Sequence, residues 1–220
     1  MSSEHSFSST LHSLKDIWHR WESMSKHRTL SLFWFLAFVL LPAPLRAQVP
    51  VYKITPVESK IKFGVEASVA IEGTFDKWGA TLTFASTDLS TGVLDIEIDA
   101  NSVDTGSGIK NRKLKGKDFF DVKRNPLITF KSTKIDQIDS DDFEIDGDFT
   151  IRGVTKPEKL MLKLSGKDTG SGTVVGEMAF DRKDYGMNSG IPFIRVADRV
   201  EVSVNLKWNR ISGPPPDMKQ

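Results

Sequence analysis

Ser107 and Lys110 stand in the S-x-x-K spacing that lets a lysine amine take the proton of a serine nucleophile. The companion motifs of such enzymes are missing, and Gly108 weakens the helix start that the pair would need. Asp142, Glu144, Asp146 and Gly147 open like an EF-hand calcium loop, but its twelfth position, where a bidentate carboxylate belongs, is Gly153. The same carboxylates read better as the wet face of a strand whose other face carries Phe143, Ile145 and Phe149. Paired carboxylates can hydrolyse a glycoside without histidine, although an apolar interior suits a sugar poorly. All four histidines (His5, His12, His19, His27) precede Ala47, and the chain has no cysteine. From Gln48 onward there is therefore no Ser-His or Cys-His nucleophile, and zinc and haem lose their usual ligands. No disulfide can form either, so hydrophobic burial must hold the fold.

The same division separates two regions of the chain. Leu30–Leu41 is a run of twelve uncharged residues, short of the ~20 that a spanning helix needs. Lys26 and Arg28 precede it, and Pro42, Pro44 and Ala47 follow. This is the pattern of a secretory signal peptide cleaved near Ala47-Gln48, with Leu45 larger than usual ahead of the cut. Met1–Ala47 is read as that peptide, either with an extended n-region or with Met24 as the true start; an uncleaved anchor is the alternative. A periplasmic or secreted location is the expectation. Gln48–Gln220 then carries 25 basic against 26 acidic residues, a balance that argues against nucleic acid.

The exported part must position whatever it binds with strands. Apolar residues alternate with polar ones at Ile61–Ala67, Leu82–Phe84, Leu94–Ile98, Phe143–Ile151 and Leu160–Leu164, and most regularly at Val200–Trp208. Strict alternation predicts antiparallel strands with one wet and one apolar face. Turn residues cluster at Asp88–Gly92, Asp139–Asp142, Gly153–Pro157 and Asp168–Gly172. About eight strands closing on themselves, an up-and-down barrel over residues 48–212, or a two-sheet sandwich satisfy this pattern. The tail Gly213–Gln220, with three consecutive prolines from Pro214, is expected to be disordered.

Lys110–Thr133 breaks the alternation. A basic run (Lys110, Arg112, Lys113, Lys115, Lys117) with Leu114 as its one large apolar residue leads into Phe119-Phe120. It reads as a short helix near 109–117 that crosses or plugs the mouth of a closed sheet, or else as a solvated linker. Ten Phe residues lie beyond Ala47, most at inward parity. They either line a ligand cavity or fill a core, and periodicity does not separate the two.

The order of motifs carries a resemblance. Tyr52-x-Ile54 leads to Ser59-x-Ile61-x-Phe63, Gly73-Thr-Phe75 and Ser102-Val-Asp-Thr105-Gly106. Asp118-Phe119-Phe120-Asp121, Pro126-x-Ile128-Thr-Phe130, Gly147-x-Phe149-Thr150-Ile151-x-Gly153 and Arg182-x-Asp184-Tyr185-Gly186-Met187 follow. This set resembles the YceI-like family of exported lipid-binding proteins over about Val51–Arg210. The resemblance implies a lipocalin-like antiparallel barrel around a long isoprenoid or similar lipid, a carrier or store and not an enzyme. No cofactor is implied beyond a bound lipid, isoprenoid or quinone-like.

The candidate cavity and mouth residues are Phe63, Phe75, Trp78, Phe84, Ile96, Phe119, Phe120, Phe130, Phe149, Phe180, Tyr185 and Met187. Lys110, Arg112, Lys113 and Arg182 are the candidate head-group contacts. The expected partners are a small amphiphilic lipid and, transiently, a membrane surface through the basic run. Two departures bear on ligand identity. Where the family often has Arg-Asp-x-His-Leu, this chain has Lys110-Asn111-Arg112-Lys113-Leu114, and the Val65–Gly73 region is short and lacks histidine. A ligand-free structural or interaction barrel is the alternative reading, and a histidine-independent hydrolase is the third.

Overall fold

The computed structural model describes residues 49–68, 71–190 and 195–219. The segment read as a signal peptide lies outside the described residues. The described residues are built on strands β1 (Val51–Ala67), β2 (Ile71–Phe75), β3 (Trp78–Thr83), β4 (Val93–Asp99), β5 (Val103–Asp104), β6 (Leu127–Gln137), β7 (Asp142–Ile151), β8 (Val154–Leu164), β9 (Ser171–Asp181) and β10 (Val196–Ser212), with one α-helix among them, α1 (Gly108–Lys115).

The sheet runs β10-β9-β8-β7-β6-β4-β3-β1 and closes through β1 with β10, every pairing antiparallel: an eight-stranded barrel. The short β2 and β5 extend this wall at one end. There β2 takes over from β3 as the neighbour of β1, pairing Lys62–Val65 with Ile71–Thr74, and β5 pairs with β2. Closure removes both sheet edges, which is how a chain of alternating strands buries one whole face.

The predicted parity holds along the strands. On β7, Phe143, Ile145, Gly147, Phe149 and Ile151 are buried while Asp148 is exposed; on β10, Val204, Leu206 and Trp208 are buried between exposed neighbours. β1 carries extra residues between Thr55 and Lys60, where its register against β10 slips. The buried Ser59 hydroxyl repairs the ladder there: it accepts from the Lys207 N–H at 2.8 Å and donates to the Thr55 carbonyl at 2.6 Å.

Arg152 and Gly153 form the turn between Ile151 and Val154, with φ of 57° and 74°. Both central residues of such a tight hairpin must be left-handed, which Gly accepts and Arg152 tolerates at a cost. The turn is shorter than the sequence suggests. Thr155–Pro157 belong to β8, and Pro157 sits opposite Asp148. A proline fits there because β8 has no β9 partner before Met161.

Gly213–Lys219, read from the sequence as disordered, folds back across one end of the barrel. Asp217 N–H donates to the Thr87 carbonyl at 2.7 Å, and Thr87 Oγ1 donates to Asp217 Oδ2 at 2.9 Å. Gln137, buried at the end of β6, clasps the tail from both sides: Nε2 donates to the Lys219 carbonyl at 2.8 Å and Oε1 accepts from Lys219 N–H at 2.6 Å. Pro216 is buried and Met218 packs on the core, so apolar burial adds to these bonds.

Candidate functional site, a two-chambered apolar interior

The barrel encloses two chambers. The upper, about 440 Å³, is walled by inward residues of β1, β2, β4, β6, β7, β9 and β10, among them Phe63, Phe75, Ile98, Ile128, Phe149 and Phe180. The lower, about 120 Å³, is walled by Tyr52, Phe84, Ile96, Phe143, Leu160 and Trp208, and Leu89, Pro216 and Met218 form its floor. The upper volume falls in the range of sites that bury most of a small organic ligand.

α1 and the Phe pair roof the upper chamber. Ser107 occupies the N-cap and Gly116 the C-cap of α1, and Arg112, Lys113 and Lys115 in the last turn oppose its negative end. Only Leu114 of the helix is buried. The chain then turns tightly back: Phe120 N–H donates to Leu114 O at 2.9 Å and Phe119 N–H to Gly116 O at 3.1 Å, with Asp121 in a left-handed conformation at φ 48°. These bonds aim both rings inward, and Phe120 stacks edge-on to Phe63 at 6.3 Å. Phe63 and Phe75 lie 5.5 Å apart and complete this aromatic seal. Gly73 makes room for it, since a Cβ there would stand 2.6 Å from Phe63 Cζ.

Three polar residues hold the roof down. Asn111 Oδ1 accepts from Thr105 N–H at 2.8 Å and from Thr105 Oγ1 at 2.7 Å, while its Nδ2 donates to Asp104 Oδ1 at 3.0 Å. Only an amide can accept and donate in this way, so one departure from the family pattern has a structural use here. That bond, with the Gly106 N–H, holds the Asp104 carboxyl below the usual carboxylate range. Lys113 pairs with Asp118 at 2.8 Å and lies 5.7 Å from the centre of the Phe119 ring. Arg152 donates to Lys117 O at 2.8 Å and also to Gly186 O, tying the β7–β8 turn to the roof and to the loop after β9.

The opposite wall has a seam, because β8 and β9 pair only from Met161–Leu164 with Val174–Glu177. Tyr185, fully buried in the turn Arg182–Tyr185, bridges it. Its ring stacks on Phe149 at 5.5 Å and Phe180 at 5.2 Å, and its hydroxyl donates to Glu158 Oε1 at 2.7 Å. Burial, then this bond, pushes the phenol far above its ordinary pKa. Arg182 is 6% exposed and reaches the chamber wall. Its guanidinium donates to Ala197 O at 3.0 Å, Ser189 O at 3.2 Å and Met187 O, and pairs with Asp198 at 3.1 Å. It fastens the start of β10 as a structural anchor.

The structure thus gathers Phe63, Phe75, Phe119, Phe120, Phe149, Phe180, Met187, Lys110, Lys113 and Arg182 on the upper chamber, and Phe84 and Ile96 on the lower. Four candidates fall elsewhere. Trp78 packs against the core outside both chambers, Tyr185 fills the seam, Arg112 points to solvent, and Phe130 lies between the chambers. Arg152, Glu158 and Gln137 were not singled out in the sequence, and Asn111 stood out there only as a departure from the family pattern. Of the first three only Arg152 carried a signal, the Arg-Gly pair between two alternating runs. The acidic face of β7 lies outside, with Lys159 pairing to Glu144 and Asp146 and Lys163 to Asp142. Among the described residues no helix is long and apolar enough to cross a membrane. The single buried side-chain nitrogen or oxygen among them without a partner is Trp208 Nε1 in the lower chamber, whose ring meets Tyr52 edge-on at 5.5 Å.

The comparisons with known proteins agree with this geometry. A UPF0312 protein of Pectobacterium atrosepticum is 37% identical over 95 residues, which are 43% of this chain and 49% of that protein. The chain thus spans about half the length of the curated relatives it matches. The crystal structure of Burkholderia cenocepacia BcnA superposes with a TM-score of 0.64 at 24% identity, covering 70% of this chain and 99% of that one. A polyisoprenoid binding domain from Saccharophagus degradans, implicated in plant cell wall breakdown, superposes with a TM-score of 0.56 at 15% identity over 72% of this chain and 98% of that one. These two likenesses are likenesses of fold. The profile of the YceI-like domain covers residues 52–208, nearly all of the barrel, and the chain belongs to that family.

Proposed function

We propose that the protein is exported and holds a long-chain isoprenoid or similar amphiphilic lipid in its barrel, as a carrier or store and not as an enzyme. The observation that carries this reading is the upper chamber itself: about 440 Å³ of apolar space inside a closed barrel, with Lys110, Lys113 and Arg182 as its only charged lining residues among the described ones. An apolar tail gains from every methylene buried there, while a polar head at the rim keeps its water and meets lysines.

Charge distribution supports delivery from a membrane through the same end. Residues 108–126 carry seven basic and two acidic side chains, whereas the remainder of 48–220 carries 18 basic and 24 acidic. Ile109 stands 79% exposed on the roof helix beside Arg112 and also reaches the chamber. A basic rim tipped by an exposed apolar residue suits transient contact with an anionic lipid surface.

Native mass spectrometry of the purified protein, before and after solvent extraction, tests the reading. A lipid-sized mass loss, with an isoprenoid or related amphiphile in the extract, is expected. A clean apo mass that no added lipid changes would overturn it in favour of a ligand-free structural barrel. N-terminal sequencing of the exported form is expected to begin near Gln48.

A further inference from the structure

Among the described residues the two chambers share no lining residue. On β7, Phe149 lines the upper and Ile145 the lower; on β10, Val202 and Val204 divide in the same way. Between these levels stand Phe130 on β6 and Met178 on β9. They are 3% and 9% exposed, belong to the core, and line neither chamber. The cross-strand neighbours of Phe130 mark the boundary, because Ile96 lines the lower chamber and Phe149 the upper.

Gly147 holds the ring at this level. A Cβ built on it would lie 2.5 Å from Phe130 Cζ and 2.8 Å from Cε1, so any larger residue would drive the ring from its seat. The seat is further limited by the Lys131 carbonyl, 2.8 Å from the same point. A rigid ring wedged against a glycine on the neighbouring strand is a fixed obstacle, in contrast to a flexible side chain such as Met178.

We infer that Phe130, seated on Gly147, is the partition that sets how long a lipid tail the barrel accepts. This rests on the lipid-binding reading and adds to it a residue that determines specificity. A tail that fills the upper chamber ends at Phe130, and further carbons must fold back or stay at the roof in water. Without the ring the two chambers join, and a longer tail runs on to the floor formed by Pro216 and Met218.

Trp208 lines only the lower chamber and reports entry there. The test uses the full chain with Trp18, Trp21, Trp34 and Trp78 replaced by Phe, and terminally brominated n-alkanols of increasing length, whose bromine quenches a tryptophan it touches. In this parent, affinity is expected to rise with length and then level off, with Trp208 unquenched throughout. In Phe130→Ala, affinity is expected to keep rising beyond that length, by roughly tenfold for every two further methylenes buried, with quenching setting in. Phe130→Leu, which shortens the obstacle while keeping apolar bulk, is the second variant should the first fail to unfold cooperatively. Equal quenching in parent and variant, or a folded variant with an unchanged length profile, overturns the partition and leaves lipid binding standing. A parent that binds no alcohol of any length overturns the lipid-binding reading and the partition with it.

Discussion

The Tyr185 hydroxyl donates to Glu158 Oε1 at 2.7 Å across the seam where β8 and β9 part. A closed barrel that leaves two of its strands unpaired at one end must fill the gap with side chains. Here a phenol does so, with two Phe rings behind it and a carboxylate in front.

Tyr185→Phe keeps the ring stacking and removes the donor, leaving a half-buried Glu158 without its partner. Thermal unfolding is expected to report a loss of about 1–3 kcal/mol. The pH dependence has a definite sign. The folded-state pKa of this phenol is raised, so its contribution is full below the unfolded value of ~10 and declines as pH rises beyond it, where only the unfolded chain releases the proton. The variant should therefore lose stability less steeply in base than the parent. An unchanged midpoint at neutral pH would remove the seam-closing role.

Asn111→Asp restores an acidic residue at the position where the family often has one, and the structure expects it to do harm. The new carboxylate faces Asp104, which now accepts from the amide. In the parent the Asp104 pKa is lowered, so its contribution is present above the ordinary carboxylate value of ~3.9 and is lost as pH falls below it. In the variant two carboxylates raise each other, so acidification relieves repulsion. The difference in melting temperature should be largest near neutrality and shrink toward the carboxylate range. A gap that widens on acidification would show that Asn111 does not act through Asp104.

Gln137→Ala removes both bonds to the Lys219 backbone and leaves the tail held by its Asp217 contacts, by the Lys219 Nζ bond to the carbonyl of residue 137 at 3.2 Å, and by apolar packing. Amide exchange at Asp217, Met218 and Lys219 is expected to speed up more than tenfold, since about 1.4 kcal/mol per tenfold is less than two such bonds contribute. Quenching of Trp208 by a small soluble quencher is expected to increase, because Pro216 and Met218 floor the chamber that it lines. If exchange in the tail stays slow, the clasp is not what holds the floor.

Much of this architecture is legible in local pattern. The alternation at Val200–Trp208 and Phe143–Ile151 is a statement about which face of a strand meets water, and a single period of two decides it. The break at Lys110–Thr133 showed where the strands are interrupted, since a charged run with one Leu cannot continue a half-buried strand. It left open a plug or a solvated linker, and the structure makes its first part the roof. The absence of His and Cys after Ala47 narrowed the chemistry before any contact was known.

What the pattern could not contain is where the interior is empty. Phe130 and Phe149 have the same type and parity, yet one separates the chambers and the other lines one, because Gly147 gives only the first ring a seat on its neighbour strand. Trp78 shares the aromatic character of Trp208 but packs outside both chambers. The tail composition suggested disorder, and a partner 82 residues away, Gln137, orders it. Sequence alone determined most of the strands, their inner faces and the family, and left a barrel and a sandwich both open. Only the tertiary structure decided the seam, the floor and the partition, because a cavity is the volume left over among side chains distant in sequence.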